Sequence, residues 1–155
     1  MHGDGIVILE LVSEMVIQLN VKAESGEEAI RKAGQLLVNA GKVNESYVDA
    51  MVEMSKSIKG YIVLAPGIAM PHARPECGVN SIGISILTLE KPIGFGNVAN
   101  DPVKLVIALA AKDNKTHIEL LQELSAMLDS DNIVKKFTDC TSKEEVMSII
   151  KKFSM

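Results

Sequence analysis

"VKLVIALAA", Val103–Ala111, is apolar at every position except Lys104. Strict alternation would mark a strand with one wet face. A nearly unbroken aliphatic run of this length instead marks a strand covered on both faces. Such a strand needs helices above and below it, and the flanking sequence supplies them. Upstream, "SIGISILTLE" (Ser81–Glu90) alternates at Ile82, Ile84 and Ile86, as a strand with two unlike faces would. Downstream, Thr116 and Glu119 form a capping box ahead of Leu120, Leu121, Leu124 and Leu128, which predicts a helix capped at Thr116.

The rest of the chain keeps the same alternation. "VIQLNVKA" (Val16–Ala23) reads as a first strand. Ser25 and Glu28 form a capping box opening a helix whose stripe is Ala29, Ile30, Ala33, Leu36, Leu37 and Ala40, closed by Gly41. A second helix starts at Asn44 and buries Tyr47, Val48, Met51, Val52 and Ile58. Two shorter helices come last, around Ile133–Phe137 and, from the Ser142/Glu145 capping box, through Val146, Ile149, Ile150 and Phe153. Strands interleaved with helices predict an α/β fold, a central mixed β-sheet flanked by helices on both faces as a three-layer sandwich.

Composition narrows the function classes. At 155 residues the chain is most simply one domain. Its hydrophobic fraction is 47% but its aromatic fraction only 3%, so the core must be aliphatic. A net charge of −4 without a basic cluster makes a poor nucleic-acid binder. Cys77 and Cys140 form no CxxC pair and suggest no disulfide framework. No apolar run reaches the length of a membrane span, and "MHGDGIVILELVSEM" lacks the basic flank and cleavage site of a signal peptide. A cytoplasmic location is expected.

The segment "APGIAMPHARPECGV" (Ala65–Val79) places His72 oddly. Pro71 fixes its own φ and biases Met70 to extended geometry, so the chain reaches His72 at the end of a strand. Small Ala69 and Ala73 leave room for the ring, and Pro75 and Gly78 confine the next residues to a loop. A restrained imidazole at a strand end is what a nucleophile needs, because little entropy is lost in aiming it. The alternative is a turn histidine satisfied by backbone carbonyls. His117 shares a helical stripe with Leu121, Leu124 and Leu128, and a cap at Thr116 puts it in the first turn, where free N–H groups disfavour an imidazolium and attract anions. It comes after a buried strand, where α/β folds commonly place ligands. Alternatively it borders the core.

These residues also carry a resemblance. "GIAMPHARPECGV" resembles the active-site signature of the type-2 enzyme IIA domains of the bacterial phosphoenolpyruvate:sugar phosphotransferase system, the fructose/mannitol class. The spelling "YIVLAPGIAMPHARPE" is most similar to the ascorbate branch. "EEAIRKAGQLLVNAGKV", "YVDAMVE", "FGNVANDPVKLVIALAAKDNKTHIELLQELSAML" and "SKEEVMSII" fall in that family's order, from about Val16 onward. The resemblance implies a phosphoryl relay. His72 takes a phosphoryl group from the histidine phosphocarrier protein and passes it to a cysteine of the cognate enzyme IIB, which serves the membrane enzyme IIC. His117 matches the family's second histidine, which stabilises the phosphoryl group. No metal or cofactor is implied.

Mannitol-type members carry an arginine in an "AMLARE"-like stretch, where this chain has "AMVEMS" and Met54. Arg74 is the substitute candidate, since its guanidinium fork suits phosphate oxygens; its other reading is a loop-surface charge. Cys77 stands where the ascorbate-like motif often has an acidic residue. Residues 1–15 form an N-terminal extension without an assigned role, within a single domain spanning 1–155. Two rival functions remain. One is a phosphorylation-dependent regulatory protein of the nitrogen-signalling type. The other is a metal-dependent hydrolase using His72, His117 and Cys77 or Asp113, against which the lack of short ligand spacings argues.

Overall fold

The computed structural model describes residues 7–57, 62–129 and 132–154. Four strands, β1 (Ile17–Val21), β2 (Ile68–Ala69), β3 (Gly83–Ile93) and β4 (Val103–Ala110), form one mixed sheet in the order β1-β3-β4-β2. The central pair β3 and β4 is antiparallel, with Ile86 opposite Ile107, while each outer strand runs parallel to its neighbour. Among the described residues, six α-helices surround the sheet: α1 (Ile8–Leu11), α2 (Gly26–Asn39), α3 (Glu45–Ser57), α4 (Asn114–Leu128), α5 (Ile133–Thr138) and α6 (Lys143–Ser154).

The expected three layers are present. One core joins Ala29, Ile30, Ala33 and Leu37 of α2 and Tyr47, Val48, Met51 and Val52 of α3 to Leu87, Leu89, Val106 and Ala108 of the sheet. The other joins Ile84, Ile86, Leu105, Ile107 and Leu109 to Leu120, Leu124 and Met127 of α4, Phe137 of α5, and Val146 and Ile150 of α6. Alternate residues of β4 therefore feed opposite cores, which is why its sequence reads as apolar throughout. Ile58, expected on the α3 stripe, lies outside the described residues.

The strand β3 has the two unlike faces expected of it, Ile84 and Ile86 in the second core and Leu87 and Leu89 in the first. Its polar positions are not wet: Ser85 and Thr88 are fully buried. Ser85 Oγ donates to the Ala33 carbonyl of α2 at 2.8 Å, and Thr88 Oγ1 accepts the Asn20 N–H at 2.9 Å. Burial is tolerated because both hydroxyls are paired. The strand also runs past Glu90 to Ile93, where its far end emerges into solvent.

Side-chain caps set the starts of α2, α4 and α6. Ser25 accepts the Glu28 N–H, and the chain leaves α2 through Gly41 with φ 76°. Ser142 and Glu145 bond reciprocally at the start of α6. Thr116 does not cap α4. The cap is Asp113, whose Oδ1 accepts the Thr116 N–H at 2.7 Å, so the helix begins at Asn114. Aspartate is the stronger N-cap, and it stands one turn earlier. The buried stripe of α4 is accordingly Leu120, Leu124 and Met127, with Leu121 and Leu128 only partly covered. In the N-terminal segment, Ile8, Val12 and Val16 are buried in the second core.

Candidate functional site

Because β2 and β4 are parallel neighbours, their C-terminal ends reach the same edge of the sheet. His72 stands three residues beyond Ala69, and His117 lies on the first turns of the helix after β4. Topology alone thus delivers two histidines 45 positions apart to one place. Their ring centroids are 4.9 Å apart, tilted by 47°. Both residues are partly buried.

The strand leading to His72 is shorter than its sequence suggests, since only Ile68 and Ala69 pair as a strand. The extended path nevertheless continues, with the Leu109 N–H donating to the Pro71 carbonyl at 3.0 Å. Pro71 and Ala73 on either side are buried. The ring itself is tethered: His72 Nδ1 lies 2.8 Å from the Met70 carbonyl oxygen. A carbonyl only accepts, so Nδ1 must carry the hydrogen, and the lone pair of a neutral ring is then on Nε2. A backbone-bonded ring and an aimed ring are therefore not exclusive readings of His72: the carbonyl engages Nδ1, and the lone pair of the neutral ring lies on Nε2.

His117 is not in the first turn as a free-ended residue. With the cap at Asp113, its N–H already bonds the Asp113 carbonyl at 3.0 Å, as the first regular bond of α4. Burial, and then the charge of neighbouring His72, push its imidazole below the ordinary value of 6.5. The ring is thus neutral near pH 7 and offers one N–H donor and one lone pair. Asp113 is held below the usual carboxylate range by hydrogen bonds from the Thr116 backbone and side chain.

Arg74 is exposed, in extended geometry with φ −68° and ψ 145°. Among the described residues no ion pair holds its guanidinium. Met54 packs against the first core. Cys77 is partly buried against that same core, whereas Cys140 is buried in the second, donating to the Lys136 carbonyl, with burial pushing its thiol up. Among the described residues, no group of three or more His, Cys, Asp or Glu is placed to hold a metal ion. No described helix is long and apolar enough to cross a membrane.

One residue is visible in the sequence only as core. Tyr47 is fully buried, yet its hydroxyl reaches the backbone of Ala73 and of Leu109. A phenol on an apolar helical stripe implies a buried partner for its oxygen, but not which one. The loop after His72 is fastened to the same helix end, with Ser46 Oγ donating to the Cys77 carbonyl at 2.8 Å and the Asn44 N–H to the Gly78 carbonyl at 2.8 Å.

Comparison with known proteins gives consistent matches. Residues 10–153 match the family "Phosphoenolpyruvate-dependent sugar phosphotransferase system, EIIA 2". The ascorbate-specific PTS system EIIA component of Escherichia coli K12 is 37% identical over 142 residues, covering 90% of this chain and 92% of that protein. The mannitol-specific cryptic phosphotransferase enzyme IIA of Escherichia coli superposes with a TM-score of 0.84 at 33% identity, covering 95% of this chain and 99% of the other. The mannitol enzyme IIA solved in complex with phosphorylated enzyme IIB, also from Escherichia coli, gives a TM-score of 0.82 at 31% identity, covering 91% and 97%.

Proposed function

Since the chain belongs to the EIIA 2 family of the phosphoenolpyruvate-dependent sugar phosphotransferase system, and is a phosphotransferase component of that system, we propose that His72 is its phosphoryl carrier. The Nε2 lone pair attacks the phosphorus of a phosphorylated histidine carrier protein. The new Nε2–P bond forms as the carrier's N–P bond breaks. A cysteine thiolate of enzyme IIB then attacks the same phosphorus, and the Nε2–P bond breaks to regenerate His72. The observation that carries this reading is the Nδ1 contact to the Met70 carbonyl, which fixes the tautomer whose lone pair lies on Nε2.

A transferring phosphoryl group spreads charge over three oxygens and needs donors rather than covalent help. In this proposal neutral His117, whose ring centroid lies 4.9 Å from that of His72, supplies an N–H, and Arg74 supplies a guanidinium from the loop. The whole chain acts as one domain in the cytoplasm, with enzyme IIB and the membrane enzyme IIC as downstream partners. The ascorbate-specific relative points to ascorbate or a related carbohydrate as the cargo. Incubated with phosphoenolpyruvate, enzyme I and the carrier protein, the wild type should gain one acid-labile, alkali-stable phosphoryl group. His72→Ala should gain none, and labelling that survives in that variant overturns the assignment.

A further inference from the structure

The pairing of β2 with β4 matches Ala69 to Val106. Extending that register by three residues sets His72 opposite Leu109. A parallel ladder at this point calls for two bonds, from the Leu109 N–H to the Pro71 carbonyl and from the Ala73 N–H to the Leu109 carbonyl. The first is present at 3.0 Å. The second is replaced. The Ala73 N–H donates to Tyr47 Oη at 3.1 Å, and Tyr47 Oη lies 2.6 Å from the Leu109 carbonyl, with the Ala73 carbonyl farther off at 3.3 Å. A phenol has one proton, and the shorter contact takes it. The chain of bonds is therefore Ala73 N–H to Tyr47 oxygen, and Tyr47 O–H to Leu109 carbonyl.

We propose that Tyr47 is a positioning residue for His72, its hydroxyl inserted as a member of the ladder between β4 and the segment just past β2. The inserted oxygen holds the strand open on the C-terminal side of His72 while the Pro71 bond keeps it closed on the N-terminal side. The opening sets the direction in which His72 leaves the sheet, and with it the ring's placement between the Met70 carbonyl and His117. Tyr47 acts here through the backbone of Ala73 and Leu109. This inference rests on the reading of His72 as the phosphoryl carrier.

Tyr47→Phe keeps the ring in the core but removes the wedge. The Ala73 N–H and Leu109 carbonyl then lie with nothing between them and can pair directly, drawing His72 toward β4. The variant should fold and should accept phosphate from the phosphorylated carrier at least about tenfold more slowly, since a misplacement of order 1 Å can cost up to about a hundredfold. Its His72 ring nitrogens, tracked by 15N NMR without any phosphoryl donor, should depart from the single Nδ1–H tautomer of the wild type. A folded variant with a lowered melting temperature but an unchanged transfer rate and unchanged ring resonances reduces Tyr47 to packing and overturns the inference. If Tyr47→Phe does not fold, 3-fluorotyrosine at position 47 decides. Its more acidic hydroxyl strengthens the bond to Leu109 and weakens the one from Ala73, so His72 resonances that stay in place overturn the inference equally. A wild type that takes no phosphate at His72 defeats the functional reading instead, and leaves the resonances to judge Tyr47.

Discussion

Phosphorylation of His72 should raise the proton affinity of His117. In the free protein, burial and the neighbouring imidazole both oppose a charge on His117. A phosphoryl group on His72 Nε2 turns that neighbour into an anion. At the 4.9 Å separation of the rings, one unit of opposite charge is worth about 3.4 kcal/mol at an effective dielectric of about 20, and about 0.85 kcal/mol at the limit of bulk water. The site is half-buried, so the true value falls between these. In populations, each unit of phosphoryl charge favours the protonated His117 ring by about fourfold to about 300-fold. The assay is an NMR titration of the His117 ring protons in the unphosphorylated protein and again after phosphorylation. Its midpoint should move upward. A midpoint that stays put or falls means that His117 does not face the phosphoryl group, and the proposed stabilising role fails with it.

His117→Ala should still accept phosphate at His72 but pass it to enzyme IIB more slowly, by about two to three orders of magnitude for the loss of one donor; an unchanged single-turnover rate returns His117 to a residue bordering the core. Arg74→Lys keeps the charge but loses the bidentate fork, so transfer should slow, and Arg74→Ala should slow it further. Rates within about twofold of wild type for both, well short of the tenfold that ~1.4 kcal/mol represents, make Arg74 a surface charge. Gly78→Ala places a Cβ 2.5 Å from Ser46 Oγ at φ 130°, which should lower stability by about 1–3 kcal/mol in denaturant melts. Asp113→Ala should lower the melting temperature at neutral pH. The carboxyl is depressed in the folded state, so its contribution is full above its ordinary value of 3.8 and lost as pH falls through the lower folded value. The gap between variant and wild type should therefore close in acid, and a gap that is constant with pH refutes the capping account.

The layers of this fold are legible because they rest on local rules. Ser25 with Glu28, and Ser142 with Glu145, cap helices through contacts three residues apart, and the aliphatic run of β4 reports its two covered faces directly. The α4 cap escapes the sequence for an equally local reason. Asp113 and Thr116 are both capable caps one turn apart, and sequence spacing does not say which carbonyl the helix starts from. Ser85 shows another limit, since the alternation around it marks a second face without revealing that the Ala33 carbonyl, 52 positions away, pairs with its hydroxyl. Tyr47 is the sharpest instance. Its helical stripe is visible, but the partners of its hydroxyl lie 26 and 62 residues distant, and only the assembled sheet brings them together.

A relay must release what it accepts, and this constrains how firmly the proposed site should hold its phosphoryl group. Fixing His72 costs the phosphoryl group nothing, because Pro71, the Met70 carbonyl and the Leu109 N–H act on the ring and backbone whether or not phosphate is present. Aiming is thus separated from binding. In the proposed site, the groups that meet the arriving phosphoryl charge are an imidazole that gains proton affinity only while that charge is present and an exposed guanidinium, not a permanently charged buried cation. A buried, unscreened cation at the same distance would hold the phosphoryl group by several kcal/mol and slow its departure to enzyme IIB as much as it aided arrival. A half-solvated pair of donors stabilises charge mainly as it develops in transit. The partly buried setting of His72 and His117 therefore suits a carrier that works in both directions better than a deep pocket would.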